Sequence, residues 1–170
     1  KAVKIDSQFL EGWRNLSIAF YNLKEYDKAL ESIEQAILLA PTAPEIWTLK
    51  NTILFGMGEY ERLLKSSDIA LDLFEPPENK NESNSLLLLR IYRVLTHIRL
   101  DNYDKVLLES NLAREEFPDF EVFYMFPVDY LLHNRQPKEA LDILSSATTN
   151  KLRNSLRPYK YKVLHQMGRS

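Results

Sequence analysis

The chain's three histidines, His97, His133 and His165, follow one another at steps of 36 and 32 in the numbering. On helices that recur at about that distance they would fall along one wall, and with Asp129 they would supply the nitrogen and oxygen donors of a metal site. Histidines at such spacing serve equally well as polar groove residues, so no metal is expected. Other chemistry has less footing. There is no cysteine, and therefore no thiolate ligand, no thiol nucleophile and no disulfide. No Gly-rich phosphate loop is present, nor a serine in a strand-turn-helix elbow. The 24 acids fall mostly at exposed helical positions such as Glu25, Asp27, Glu31 and Glu34, where solvation explains them. No catalytic residue and no cofactor is expected.

Positive charge is the second candidate chemistry. The formal charge of −2 conceals an asymmetry: residues 143–170 hold Lys151, Arg153, Arg157, Lys160, Lys162 and Arg169 without an acid, +6, while residues 1–142 carry −8. Tyr159 and Tyr161 sit among those cations, yet no nucleic-acid-reading motif accompanies them, so nucleic acid is not the expected partner. A further basic ridge, Arg90, Arg93 and His97, lies in "SLLLLRIYRVLTHIR", Ser85 to Arg99. Its longest unbroken apolar run, Leu86 to Leu89, is far short of the roughly 18–20 residues of a membrane span.

The elements that must position these groups are set by an internal period. Trp13 and Trp47, Tyr26 and Tyr60, Ala36 and Ala70, and Ser7 and Pro41 are each separated by the same step, 34 in the numbering. Tyr103 and Pro137, and Ala113 and Ala147, keep that step. Tyr60 to Tyr103 is 43, so nine residues are inserted, and "EPPENKNES", Glu75 to Ser83, reads as the inserted loop. Within one period Trp13, Leu16, Phe20 and Leu23 have helical spacing. Tyr26, Ala29, Ile33, Ala36 and Ile37 form a second stripe that Pro41 ends. Ala29 and Ala36 let helices approach closely where larger side chains would hold them apart. At 45% hydrophobic and 27% charged, the chain has ample material for a core.

A helical hairpin of about 34 residues with an early aromatic, Tyr at the turn, two spaced alanines and a closing Pro resembles the tetratricopeptide repeat (TPR). Residues 10–43 match almost throughout. Residues 44–74 depart at Lys50, where Leu is usual, and at Leu63, which replaces the first alanine. Residues 85–119 keep Tyr103, Ala113 and Pro118 but carry Val106 for the first alanine, and 120–153 keep Ala140 and Ala147. "KAVKIDSQ", within 1–9, resembles the end of an earlier repeat, and a terminal helix is expected over about 156–168. The resemblance implies an all-α, right-handed superhelical stack of antiparallel helix pairs, about nine or ten helices, forming one array over 1–170 with an inserted loop at 75–84. A chain that begins and ends in mid-repeat is expected to be part of a longer array. Pro127 predicts a kink in the fourth hairpin.

What the family implies for function is a non-catalytic scaffold that holds a protein or peptide in the concave groove lined by the first helix of each pair. Trp13, Leu16 and Phe20 would pack inward, leaving Glu11, Arg14, Ile18, Tyr21 and Asn22 on the open side. Thr48, Thr52 and Phe55, with Glu45, follow in the second hairpin, and Met125, Asp129 and His133, with Val122 and Leu132, in the fourth. An aromatic and methionine floor suits an extended or helical peptide. A carboxylate clamp, as in the chaperone-binding members, is not expected: Arg14 fits, but Ile18 stands where Asn would be needed. The alternative is a structural array that self-associates or docks on another domain of the same polypeptide. No membrane insertion is expected, and the absence of cysteine suits a reducing, cytoplasmic compartment.

One register is in question. Counting back from Tyr103 at the strict period would turn Arg90, Arg93 and His97 into packing residues, and burying unpaired cations costs several kcal/mol. The expectation is therefore a shifted helix with Leu88, Ile91 and Leu95 inward and Arg93 and His97 facing the groove, where they would favour an acidic partner.

Overall fold

The computed structural model describes residues 2–73 and 80–168, with side chains over 9–73 and 83–168. Ten helices and no strand lie among the described residues. They divide into two compact units, residues 1–96 and 97–170.

The first unit contains α1 (Ala2–Asn22), α2 (Tyr26–Leu39), α3 (Pro44–Met57), α4 (Tyr60–Leu73) and most of α5 (Lys80–Arg99). The second holds the end of α5, then α6 (Tyr103–Glu116), α7 (Val122–His133), α8 (Pro137–Ser145), α9 (Asn150–Ser155) and α10 (Arg157–Gln166). Residues 2–9 are part of α1, which runs unbroken to Asn22. Of the expected loop over 75–84, residues 75–79 lie outside the described set, and from Lys80 onward the chain is already helical.

The pairs are made by one turn used four times. Lys24, Gly58, Asp101 and Arg135 all have left-handed backbone, at φ 60, 77, 51 and 58°. Their numbers advance by 34, 43 and 34, the steps of the sequence pattern itself. After each, an amide donates five residues back: Glu25 to Phe20, Glu59 to Leu54, Asn102 to His97 and Gln136 to Leu131, at 2.8–2.9 Å. This hydrogen bond closes the first helix and reverses the chain into the second.

Because the turns are equivalent, positions counted back from them are equivalent too. Phe20, Leu54, His97 and Leu131 correspond, and so do Ser17, Asn51, Val94 and Val128, all four of the latter buried. α5 therefore keeps the strict period, and the expected register shift does not occur.

Apolar burial between paired helices supplies the stability of each unit. In the first, Ala29, Ile33, Ala36, Ile46, Ile53, Leu54 and Leu63 form the core, with Trp13 and Phe20 packed against it. Leu16, expected inward, is 40% exposed; no helix precedes α1 among the described residues to cover it. In the second unit Tyr124, Val128, Leu131, Ala140, Leu144, Ala147 and Val163 form the core.

Departures from the repeat pattern are compensated locally. Lys50 and Arg93 occupy the position of Leu16 in later pairs, and both reach back to the preceding second helix. Lys50 meets Glu34 at 3.2 Å and Arg93 meets Asp68 at 2.5 Å, and the two acids are themselves one period apart. The linking prolines are tied in the same way: Trp47 Nε1 donates to the Pro41 carbonyl at 2.7 Å, and the Tyr124 hydroxyl to that of Pro118 at 3.1 Å.

α7 continues through Pro127. Proline has no N–H to donate, so the Phe123 carbonyl loses its helical partner. Arg114 of α6 supplies the replacement, donating from Nη1 to that carbonyl at 3.1 Å while lying over the Tyr124 ring. Burial lowers the pKa of this guanidinium, and the Tyr124 phenol partly offsets the shift.

Candidate functional site

Positions 13, 10, 6 and 3 before each turn residue define the side of each first helix opposite its paired second helix. On α1 these are Glu11, Arg14, Ile18 and Tyr21, and on α3 Glu45, Thr48, Thr52 and Phe55. On α5 they are Leu88, Ile91, Leu95 and Ile98, and on α7 Val122, Met125, Asp129 and Leu132. In α5 this gives a stripe of aliphatic side chains, with Leu88 43% exposed and Ile91, Leu95 and Ile98 half-buried.

Arg93 and His97 are not on that side, contrary to the sequence expectation. His97 is only 6% exposed, and Arg93 is drawn toward α4 by Asp68. The expectation rested on the cost of an unpaired buried cation. The acid that Asp68 brings from the preceding helix removes that cost for Arg93.

Within the first unit the expected residues fall into two groups. Glu11 and Arg14 form an ion pair at 3.1 Å one turn apart. Farther along, Tyr21 leans on Tyr26 at 5.7 Å between ring centroids, and Phe55 contacts Tyr60 at 5.8 Å and Tyr92 at 5.4 Å. Burial raises the Tyr21 pKa, with further contributions from Tyr92 and Tyr26. Tyr26 of α2 thus packs on Tyr21 of α1, and Tyr92 of α5 on Phe55 of α3. Gly56 permits this approach: a Cβ there would come within 3.2 Å of the Tyr21 and Tyr26 rings.

The remaining expected positions differ in accessibility. Thr48 is 7% exposed, because α5 packs onto it and its hydroxyl donates to the carbonyls of Pro44 and Ser85. Thr52 is half-buried and donates to the Thr48 carbonyl at 2.9 Å. Asn22 is exposed at the end of α1, and Ile18 is half-buried. In the second unit Met125 packs partly on the core, His133 is exposed, and Asp129 meets Lys162 of α10 at 3.7 Å.

Sequence reasoning missed Leu88, Ile91 and Leu95 as members of this surface. The signal that could have found them was the strict count back from Tyr103. Among the described residues no group of three or more His, Asp or Glu side chains could hold a metal ion, and no helix is long and apolar enough to cross a membrane.

These features define an all-α protein of repeated antiparallel helix pairs. The tetratricopeptide repeat family model matches residues 10–43. A TPR repeat-containing protein of Methanocaldococcus jannaschii is 38% identical over 60 residues, a match spanning 33% of this chain and 11% of that relative. Among solved structures, MamA aligns over 99% of this chain and 84% of its own, with a TM-score of 0.60 at 17% identity. A thermophilic TPR protein of Thermus thermophilus aligns over 94% of this chain and 84% of its own, with a TM-score of 0.54 at 16% identity. Residues 10–43 are thus similar to a tetratricopeptide repeat, and the chain has the fold of tetratricopeptide-repeat proteins. As a class these repeats mediate protein–protein interaction.

Proposed function

We propose that this chain is a non-catalytic adaptor whose first-helix surface takes up an extended or helical segment of a partner protein. The observation that carries the reading is the stripe Leu88, Ile91 and Leu95 on α5. It is aliphatic and incompletely buried at the positions where α1 carries Glu11, Arg14 and Ile18 and α3 carries Glu45, Thr48 and Thr52. A helix that needed only solubility would carry charge there. Apolar side chains at i, i+3 and i+7 match the anchor spacing by which helical and extended segments are bound. The Phe55 and Tyr92 rings extend the same unit's surface with rigid area of low entropic cost. The occupant is thus expected to present two or three apolar anchors, rather than the acidic character that Arg93 and His97 had suggested.

Selection from a phage-displayed peptide library tests this. Wild-type protein should select peptides with a shared spacing of apolar residues. Leu88→Glu, Phe55→Ala or Arg14→Glu should weaken their binding by about tenfold or more, with helix content unchanged, because burial of one aliphatic side chain contributes about 1.5–3 kcal/mol. Selected peptides that bind Leu88→Glu and Phe55→Ala as tightly as wild type would remove the groove reading.

A further inference from the structure

Positive charge expected beside the groove is used inside the fold, where Arg93 meets Asp68 and His97 is buried. A different set stands at the surface of the second unit. Residues 143–168 hold Lys151, Arg153, Arg157, Lys160 and Lys162 and not one acid. Arg153, Arg157 and Lys160 line a concavity of about 420 Å³ between the end of α8 and the helices α9 and α10. Leu144 and Leu156 also line it, with Asn154 beside them and no carboxylate.

The concavity is partly preorganised. Arg153 is fixed by donating from Nε to the Ala147 carbonyl at 2.9 Å and from Nη1 to Asn150 Oδ1 at 3.4 Å. Arg157 lies over the Tyr161 ring at 5.9 Å. Lys162, on another face of α10, reaches Asp129, but none of the three lining cations forms an ion pair with a carboxylate among the described residues. Three like charges gathered in one depression repel one another and create a positive potential that draws an anion.

We propose that this depression is a second binding site, independent of the groove reading, for an acidic protein segment carrying adjacent Asp or Glu side chains. Guanidinium forks match carboxylates in two-point geometry. The observations favour a peptide over nucleic acid. Lys162 covers Tyr159 at 4.7 Å and Arg157 covers Tyr161, so each ring already carries a cation on its face instead of offering a stacking platform to bases. The cations also converge on one depression and do not track along a path.

Fluorescence anisotropy with labelled hexaglutamate, using the full chain at low salt, tests the site. A thymidine oligonucleotide of equal charge and inorganic phosphate serve as competitors. Hexaglutamate should bind saturably and be displaced poorly by either. Arg157→Gln combined with Lys160→Gln should weaken it by about tenfold, and Lys160→Gln alone by a smaller factor. Lys160→Arg should retain binding. Lys151→Gln, which removes equal charge from an exposed position outside the depression, should change affinity less than about twofold. Phe55→Ala should leave hexaglutamate binding intact, separating this site from the groove. Absence of saturable binding, equal losses for Lys151→Gln and Lys160→Gln, or preference for the oligonucleotide would each overturn the proposal.

Discussion

Arg114→Met isolates what the guanidinium does for α7. The substitution keeps an apolar stem beside Tyr124 but removes the donor that reaches the Phe123 carbonyl. A hydrogen bond from a charged group contributes about 1.5–3 kcal/mol, and cation–π contact about 0.5–1 at exposed sites and more at a buried ring such as Tyr124. Arg114 is half-buried, so the net loss should be about 2 kcal/mol. The causal link is Pro127, and it can be tested separately. Pro127→Ala restores an N–H for the Phe123 carbonyl, so Arg114→Met in that background should cost about 1 kcal/mol less. Urea denaturation of the four proteins of this cycle, followed by circular dichroism, reads the coupling directly. A coupling below about 0.3 kcal/mol would show that the arginine does not stand in for the missing proline N–H. The consequence would reach the site, since α7 carries Met125, Asp129 and His133.

The repeated turn makes its own prediction. Gly58→Ala should destabilise by about 1 kcal/mol although no atom lies within 4 Å of the added Cβ, because only the left-handed backbone opposes it. Lys24→Gly should stabilise by about 0.5 kcal/mol for the converse reason, and thermal melts of the two variants should move in opposite directions. Burial raises the Tyr21, Tyr124 and Tyr159 phenols above their ordinary value of 10.0. The unfolded chain therefore loses these protons first, so stability is intact below about pH 10 and is lost as pH rises from there toward the raised values. Urea midpoints that stay constant between about pH 9 and about pH 11 would contradict this.

How far the sequence disclosed these features depends on the kind of signal each left. Helix pairing was legible because aromatic, alanine and proline landmarks recur at one period and each has a packing reason. For the first helices of the first, second and fourth pairs, counting along the period assigned outward positions such as Arg14, Thr52 and Met125 to the side that the turn count also gives. α5 was misread because a local rule, that cations avoid packing faces, was set against the period. The acid that reconciles them, Asp68, belongs to another helix, and a wheel drawn on one segment cannot show it. For the same reason Thr48 looked open, whereas Ser85, 37 residues away, covers it. α9 was not expected from the sequence; in the structure the Thr149 side chain caps it, accepting from the Leu152 amide at 3.2 Å.

The proposed function requires that a partner protein be held on the first-helix surface around α5. Methyl NMR of leucine- and isoleucine-labelled protein, titrated with a library-selected peptide, tests it most directly. The methyl signals of Leu88, Ile91 and Leu95 should shift together and saturate with the peptide's binding isotherm. Shifts confined to Leu38, Leu39, Ile69 and Leu73, the exposed aliphatic residues of the second helices α2 and α4, would contradict it.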